Sequence, residues 1–300
     1  MTRNPRVAFL TSADMMKGRP GAREDWFEYD LEFGALSRAC SAEGIDLVSS
    51  IWDQPFEPEG FDAFMIGTVW DYPPKQQLFL DTIDGLNAKA PVLNSPSIVR
   101  WNIEKSYLRQ LEEAGAPSVP TLWRDRADAE TLAEAFEVFG ADEIVVKPQV
   151  GAGAWRQARV KKGDPLPAAD MLPPASAMLQ PFLPAIPQEG EYSLMVFGGQ
   201  LSHGLVKKPK SGDYRVQSMY GATEDIWTPS DDERATAMKV LHAAEEITGE
   251  KDLLYARIDM ARGLDGKLAV MELELIEPYF YPEQGPNMGQ VFVEALKARL

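Results

Sequence analysis

Over the first hundred residues, short apolar runs alternate with stretches of helical spacing. RVAFLTS, IDLVSSIW, FDAFMIG and PVLN predict strands, and residues 26–43 and 74–88 predict helices. Such alternation implies a parallel sheet with crossover helices, whose ligands bind beyond the carboxyl ends of the strands. Thr11, Ser12 and Asp14 fall at that edge, as do Thr68, Trp70, Asp71 and Tyr72. A turn packed by its two aromatics is the plainer account of the WDYP stretch.

The spacing then changes. Residues 102–114 (NIEKSYLRQLEEA) predict one helix ending at Gly115, PSVPTLW starts a strand, residues 128–139 predict a second helix, and EIVVKP is a buried strand. These form a small α+β unit. The remainder is strand-rich: SAMLQPFL, EYSLMVFGGQ, LSHGLVKKP and YRVQ, then a helix over 231–248 and a final hairpin. The expected division is therefore 1–96, 97–183 and 184–300.

The hairpin carries the most specific pattern. In LYARIDM, Leu254, Ala256, Ile258 and Met260 form an apolar face and Tyr255, Arg257 and Asp259 point the other way. In LAVMELELI, Ala269, Met271, Leu273 and Leu275 form the apolar face, and Glu272 and Glu274 share the opposite one. A two-residue turn at Asp265-Gly266 sets Asp259 across from Glu272 and Arg257 across from Glu274. Opposed carboxylates repel unless a cation lies between them, and Mg²⁺ suits such an oxygen cluster. A solvated face with Arg257 paired to Glu274 fits the same alternation.

Composition narrows the classes. Of 300 residues, 45% are hydrophobic and 25% charged, enough to bury a sizeable core. There is no run of about 18 apolar residues and no secretory signal pattern, so a cytoplasmic location is expected. The one cysteine, Cys40, sits in a helix and reads as a buried structural thiol. A net charge of −16 argues against nucleic acid or an anionic membrane as partner. A small phosphate ligand needs only a local basic pocket. With His203 and His242 alone and no Cys cluster, a zinc site is not expected.

Lys147 ends IVVKP and leads into QVGAGAWRQ, where Gly151 and Gly153 let backbone N–H groups turn towards an anion; a hairpin turn is the plainer account. Lys207, Lys208 and Lys210 are either cations facing phosphate or a solvated basic turn. Proline frees the backbone around Gln180, Phe182 and Leu183 for a base edge, and Glu191 follows as an acceptor for ribose hydroxyls.

The order NIEKSYL, IVVKP, a glycine loop, LQPFL with GEYSL, R-x-D and E-x-E resembles the ATP-grasp superfamily. Within it, the likeness is to the glutathione synthetase, ribosomal-protein glutamate ligase and cycloserine-forming types. The resemblance implies an α/β fold, α+β in its C-terminal part: an N-terminal parallel-sheet domain and two α+β subdomains clasping ATP. It makes Lys105 and Lys147 the phosphate-binding lysines. Gln180, Phe182 and Leu183 become the adenine site, Glu191 the ribose ligand, and Asp259, Glu272 and Glu274 the ligands of Mg²⁺, or of Mn²⁺ in its place. Arg257 would stabilise the transferring phosphoryl group, and Arg215 would serve the substrate-side loop. The third metal position is Glu274 where the family often has Asn, and Ile276-Glu277-Pro278-Tyr279-Phe280-Tyr281 replaces its N-P-x-P-G ending.

The implied activity joins a small-molecule carboxylate to an amine through an acylphosphate, releasing ADP and phosphate. Trp70, Asp71 and Tyr72, with Arg215, are the substrate candidates. A small-molecule kinase on the same scaffold and a nucleotide-binding protein without turnover are the alternatives. The sequence leaves the oligomeric state open, many related ligases being homodimers or homotetramers.

Overall fold

The computed structural model describes residues 3–150, 155–213, 215–216 and 221–300. Strands β1 (Arg6–Thr11), β2 (Asp46–Ile51), β3 (Ala63–Ile66) and β4 (Val92–Leu93) form a parallel sheet in the order β2-β1-β3-β4. Helices α1 (Phe27–Ala42) and α2 (Gln76–Asn87) are its crossovers. Both faces are covered, which is why these strands read as continuous apolar runs. Ala8, Leu10, Phe64 and Ile66 pack on Phe79 and Ile83 of α2. Val7 and Phe9 pack on Leu36 and Cys40 of α1, and burial pushes the Cys40 thiol up to about 12.

Two short helices follow, α3 (Pro96–Asn102) and α4 (Tyr107–Glu113). A second sheet is built from β5 (Leu122–Arg124), β6 (Glu143–Pro148), β7 (Ala158–Lys161) and β8 (Ala177–Pro181), ordered β5-β8-β6-β7 and antiparallel. Its core is closed by α5 (Ala129–Phe139), whose start is fixed by a reciprocal Asp128–Thr131 capping box and whose end is Gly140 in the left-handed region.

After α6 (Ala185–Glu189) comes a five-stranded antiparallel sheet. It comprises β9 (Glu191–Phe197), β10 (Gln200–Lys208), β11 (Thr223–Trp227), β12 (Tyr255–Arg262) and β13 (Leu268–Glu274), in the order β11-β10-β9-β12-β13. Helix α7 (Asp231–Thr248) packs on one face with α3 and α4, starting at a Ser230–Glu233 capping box with three acids in its first turn. Helix α8 (Met288–Lys297) packs on the other with α1. The strand expected at YRVQ is absent where described: Arg215 and Val216 lie in no strand, and Tyr214 and Gln217 are outside the described residues. The partner of β10 is instead β11.

The single helix expected over 102–114 is broken at 103–106. The cause is an edge. β13 ends its sheet, so its outward N–H and C=O groups need partners. Asn102 supplies two, donating Nδ2 to Leu273 O (2.8 Å) and accepting from Leu275 N (2.9 Å). Tyr107 Oη accepts from Leu273 N (2.9 Å), and Pro117 O accepts from Val270 N (2.7 Å). One straight helix cannot aim both Asn102 and Tyr107 along an extended strand, and the break also frees Lys105 N–H to donate to Gln149 O (2.9 Å).

Asn94 completes the cover. Its φ is +59°, a conformation asparagine tolerates better than most residues. Its side chain donates to Tyr255 O (2.9 Å) and Leu275 O (2.8 Å) and accepts from Leu254 N (2.8 Å). Asn94→Ala would leave three buried backbone groups unpaired in a left-handed backbone. It is expected to cost about 2–5 kcal/mol in equilibrium urea unfolding; a loss under about 1 kcal/mol would show that β12 and β13 do not need this bracket.

Candidate active site

Glu272 lies across from Asp259 and Glu274 across from Arg257, the register expected from the sequence, but it is reached differently. The turn is longer than the two residues expected, because Arg262 pairs with Leu268 and Gly263 N–H donates to Lys267 O (2.8 Å). Leu264, Asp265 and Gly266 form the tip, with Gly266 at φ +77°. That choice shifts the ladder by one residue. A bulge between Asp259 and Met260, with Met271 as the extra residue on β13, shifts it back. The apolar faces change accordingly: Leu268 and Val270 join Leu273 and Leu275, while Ala269 and Met271 belong to a separate cluster with Leu183, Ile186 and Val216.

Asp259, Glu272 and Glu274 each present an oxygen within 4.8 Å of the others. Cations interleave them. Arg257 donates Nε and Nη2 to Asp259 (3.1 and 3.0 Å), Nη2 to Glu274, and Nη1 to Tyr279 O (3.2 Å). Lys105 bonds Glu272 from the break between α3 and α4. Lys207, on β10 directly across from Glu191, reaches Glu191 (2.6 Å) and Asp259 (3.3 Å). Ser193 donates its hydroxyl to Asp259.

Burial opposes ionisation of Asp259, but Arg257, Lys207 and the Ser193 hydroxyl outweigh it and hold the carboxyl down at about 2. Glu274 moves the other way: burial, with Glu272 and Asp259 beside it, raises it despite Arg257. Lys105 and Lys207 are raised, their burial overcome by Glu272 for the first and by Asp259 and Glu191 for the second. Lys147 is lowered by burial and forms no ion pair among the described residues.

These groups face one cleft of about 1300 Å³. Lys105, Lys147, Gln180, Phe182, Leu183, Glu191 and Lys207 line one part of it together with the carboxylate cluster, and Trp70, Tyr72, Arg215, Tyr279 and Tyr281 line the rest. The sequence expectation that proline frees the Phe182 backbone fails at its amide. β8 stays paired with β6 through Pro181, and Phe182 N–H donates to Glu143 O (2.9 Å). Gln180 donates Nε2 to Thr121 Oγ1 (2.9 Å). Asp71 is not in the cleft wall; it accepts from Trp52 Nε1 (2.6 Å) and Lys75 Nζ (2.7 Å). Lys208 pairs with exposed Asp225 (2.9 Å), as a solvated turn would. Gly151 and Gly153 lie outside the described residues.

Sequence reasoning missed several groups. Ser193 shares the Glu191 face of β9 by period two and was legible there. The segment after β13 is held by contacts no local pattern shows. Glu32 of α1 accepts from Phe280 N (2.7 Å), His203 Nε2 meets Phe280 O (2.9 Å), and Trp70 Nε1 donates to Glu277 O (2.9 Å). Phe280 is thereby turned into the core against Phe197 and Tyr255, leaving Tyr279 and Tyr281 in the cleft, with Tyr281 at φ +50°.

The fold is that of the ATP-grasp ligases, and the chain is similar in sequence to ligases of that kind. Residues 7–94 match the family model of the D-cycloserine synthetase DcsG N-terminal domain. The chain is 28% identical over 285 residues to the cycloserine biosynthesis protein DcsG of Streptomyces lavendulae, covering 90% of this chain and 94% of that protein. It is 23% identical over 286 residues to the glutathione synthetase of Ralstonia nicotianae, covering 92% and 77%. The crystal structure of D-cycloserine synthetase DcsG superposes with a TM-score of 0.81 at 24% identity, over 98% of this chain and 99% of that one.

Glu32 is fully buried, its second oxygen has no hydrogen-bond partner among the described residues, and burial raises it to about 8. In the unfolded chain its value is the ordinary 4.5. A raised carboxyl favours the folded state fully below the unfolded value, and that contribution is lost as pH rises through the folded value. Glu32→Gln, which keeps the acceptor for Phe280 N and cannot ionise, is therefore expected to gain stability relative to the parent between pH 5 and 8, by up to about 4 kcal/mol. Urea midpoints that stay parallel over that range would show Glu32 to be charged in the fold.

Proposed function

We propose that this chain joins a small-molecule carboxylate to an amine at the expense of ATP, through an acylphosphate, releasing ADP and phosphate. What carries this reading is the convergence of three carboxylates and two lysines from different elements on one cleft, Lys105 from the α3–α4 break and Lys147 from β6. Asp259, Glu272 and Glu274 offer only oxygen donors at close range, a set that fits Mg²⁺ or Mn²⁺. An ion held there would supply charge neutralisation at the transferring phosphate.

The remaining roles belong to the chain. Lys105, bonded to Glu272, and Lys147 both face the cleft where phosphates would lie, and the desolvated ammonium of Lys147, which forms no ion pair among the described residues, is the one that gains most from an anion. Gln180, Phe182 and Leu183 border the base, and Glu191 the ribose. Arg257, already fixed by three acceptors, spreads charge as the substrate carboxylate attacks the γ-phosphorus and the bond to ADP breaks. The amine, in its neutral form, then attacks the acyl carbon; a C–N bond forms as the acyl C–O bond to phosphate breaks, and inorganic phosphate leaves with the proton lost by the nitrogen. No protein nucleophile is needed. Arg215 lines the cleft on the substrate side.

Glu272→Gln and Lys147→Ala are each expected to lower Mg·ATP-dependent ADP release at least 100-fold with the circular-dichroism spectrum unchanged. In the parent, hydroxylamine should trap a hydroxamate in the presence of the carboxylate substrate. ADP release without any trapped acyl product would point to phosphoryl transfer to a hydroxyl instead.

A further inference from the structure

Beyond the carboxylate cluster, the cleft is walled by aromatic rings. Trp70 meets Tyr279 edge to face (6.3 Å) and Tyr279 meets Tyr281 (4.8 Å), all three lining the cleft with Tyr72. Glu277 lies in this wall, three residues after Glu274. Its carbonyl is held by Trp70 Nε1 (2.9 Å) and its carboxyl is hydrogen-bonded to Tyr72. Among the described residues no lysine or arginine forms an ion pair with it.

The cations of this region have other acids. Arg23 spends Nε and Nη2 on Asp25 (2.7 and 2.8 Å) while lying over Trp70 (5.3 Å), Arg257 serves Asp259 and Glu274, and Arg215 bonds Asp213. A carboxyl set beside aromatic rings, with its own backbone fixed, with Lys105 and Arg257 near enough to act on it but each bonded to another acid, and with no ion pair of its own among the described residues, is complementary to a small organic cation. The carboxylate gives a charge-assisted hydrogen bond and the rings a cation–π surface.

We propose that Glu277 is the specificity-determining residue of the substrate half, binding the ammonium group of a primary-amine substrate, with Tyr72 orienting its carboxyl. This rests on the ligase reading and adds the chemical class of the second substrate. Burial, reinforced by the charge of Glu272, raises Glu277 to about 7, so a bound cation draws it into the charged form. Two rings of the wall, Tyr279 and Tyr281, come from the same segment as Glu277, and Trp70 and Tyr72 from the segment after β3.

The test has two arms. In the first, Glu277→Gln and Tyr72→Phe are compared with the parent in ADP release once an amine substrate is found. Glu277→Gln should raise KM for the amine at least tenfold while KM for ATP is unchanged, and Tyr72→Phe should raise it several-fold. An unchanged amine KM, or equal rises for amine and ATP, overturns the proposal. In the second arm, alaninamide, a primary amine without a carboxylate, is titrated calorimetrically into parent and Glu277→Gln protein with Mg·ADP present. Binding weakened at least tenfold by the substitution supports the proposal, and equal or absent binding to both overturns it. If no carboxylate and amine pair gives ADP release, the ligase reading fails while this second arm still decides the role of Glu277.

Discussion

Three carboxylates within 4.8 Å of one another are the constraint on which this structure turns. At that separation each like-charged pair repels by about 3 kcal/mol in a partly desolvated cleft. The fold meets this with cations drawn from three places in the sequence: Arg257 from the same hairpin, Lys207 from two strands away and Lys105 from a helix break. None of these cations is local to all three acids. The cluster therefore exists only once the five-stranded sheet and the α3–α4 segment have come together, which makes it a product of the tertiary fold rather than of the hairpin.

The hairpin is held to that arrangement from outside its own ladder. β13 is an edge strand, and its outward backbone groups are taken by Asn94, Asn102, Tyr107 and Pro117, all N-terminal to the second sheet. Bonding Asn102 into β13 requires the helix to stop there, and stopping it presents Lys105 towards Glu272 while its amide bonds Gln149 beside β6. Edge protection and lysine placement are thus one structural solution. The same edge that would otherwise invite pairing with another chain becomes the seam along which the carboxylate face is fixed.

Period two was sufficient to place Arg257, Asp259, Glu272 and Glu274 on one face and to pair them, because the register depends on which faces are apolar. What it could not show was the route. A three-residue tip and a bulge at Met271 each displace the ladder by one residue in opposite senses, and the pattern of apolar residues near the pairs is blind to a displacement that cancels. The helix break escaped because NIEKSYLRQLEEA has helical spacing throughout; its interruption is imposed by the edge of a strand some 170 residues away in the chain. Glu32 and His203 escaped for a similar reason, since each acts on the backbone of Phe280, more than 70 residues distant. Asp71 was assigned to the ligand edge by position alone, and Trp52 and Lys75 claim its carboxylate.

The two parts of the cleft are built under different physical rules. Asp259, Glu272 and Glu274 are each matched by a cation, Arg257 from their own hairpin or Lys105 and Lys207 from other elements, so changing one member disturbs several partners at once. The segment 277–281 is also fixed through its backbone: Trp70, Arg257, Glu32 and His203 all bond carbonyls or an amide of it, while Tyr279, Phe280 and Tyr281 are buried in the same core cluster. The main-chain anchors from Trp70, Glu32 and His203 thus set Glu277, Tyr279 and Tyr281 along the cleft wall beside Trp70 and Tyr72, on a framework that does not depend on the ion pairs of the acidic cluster.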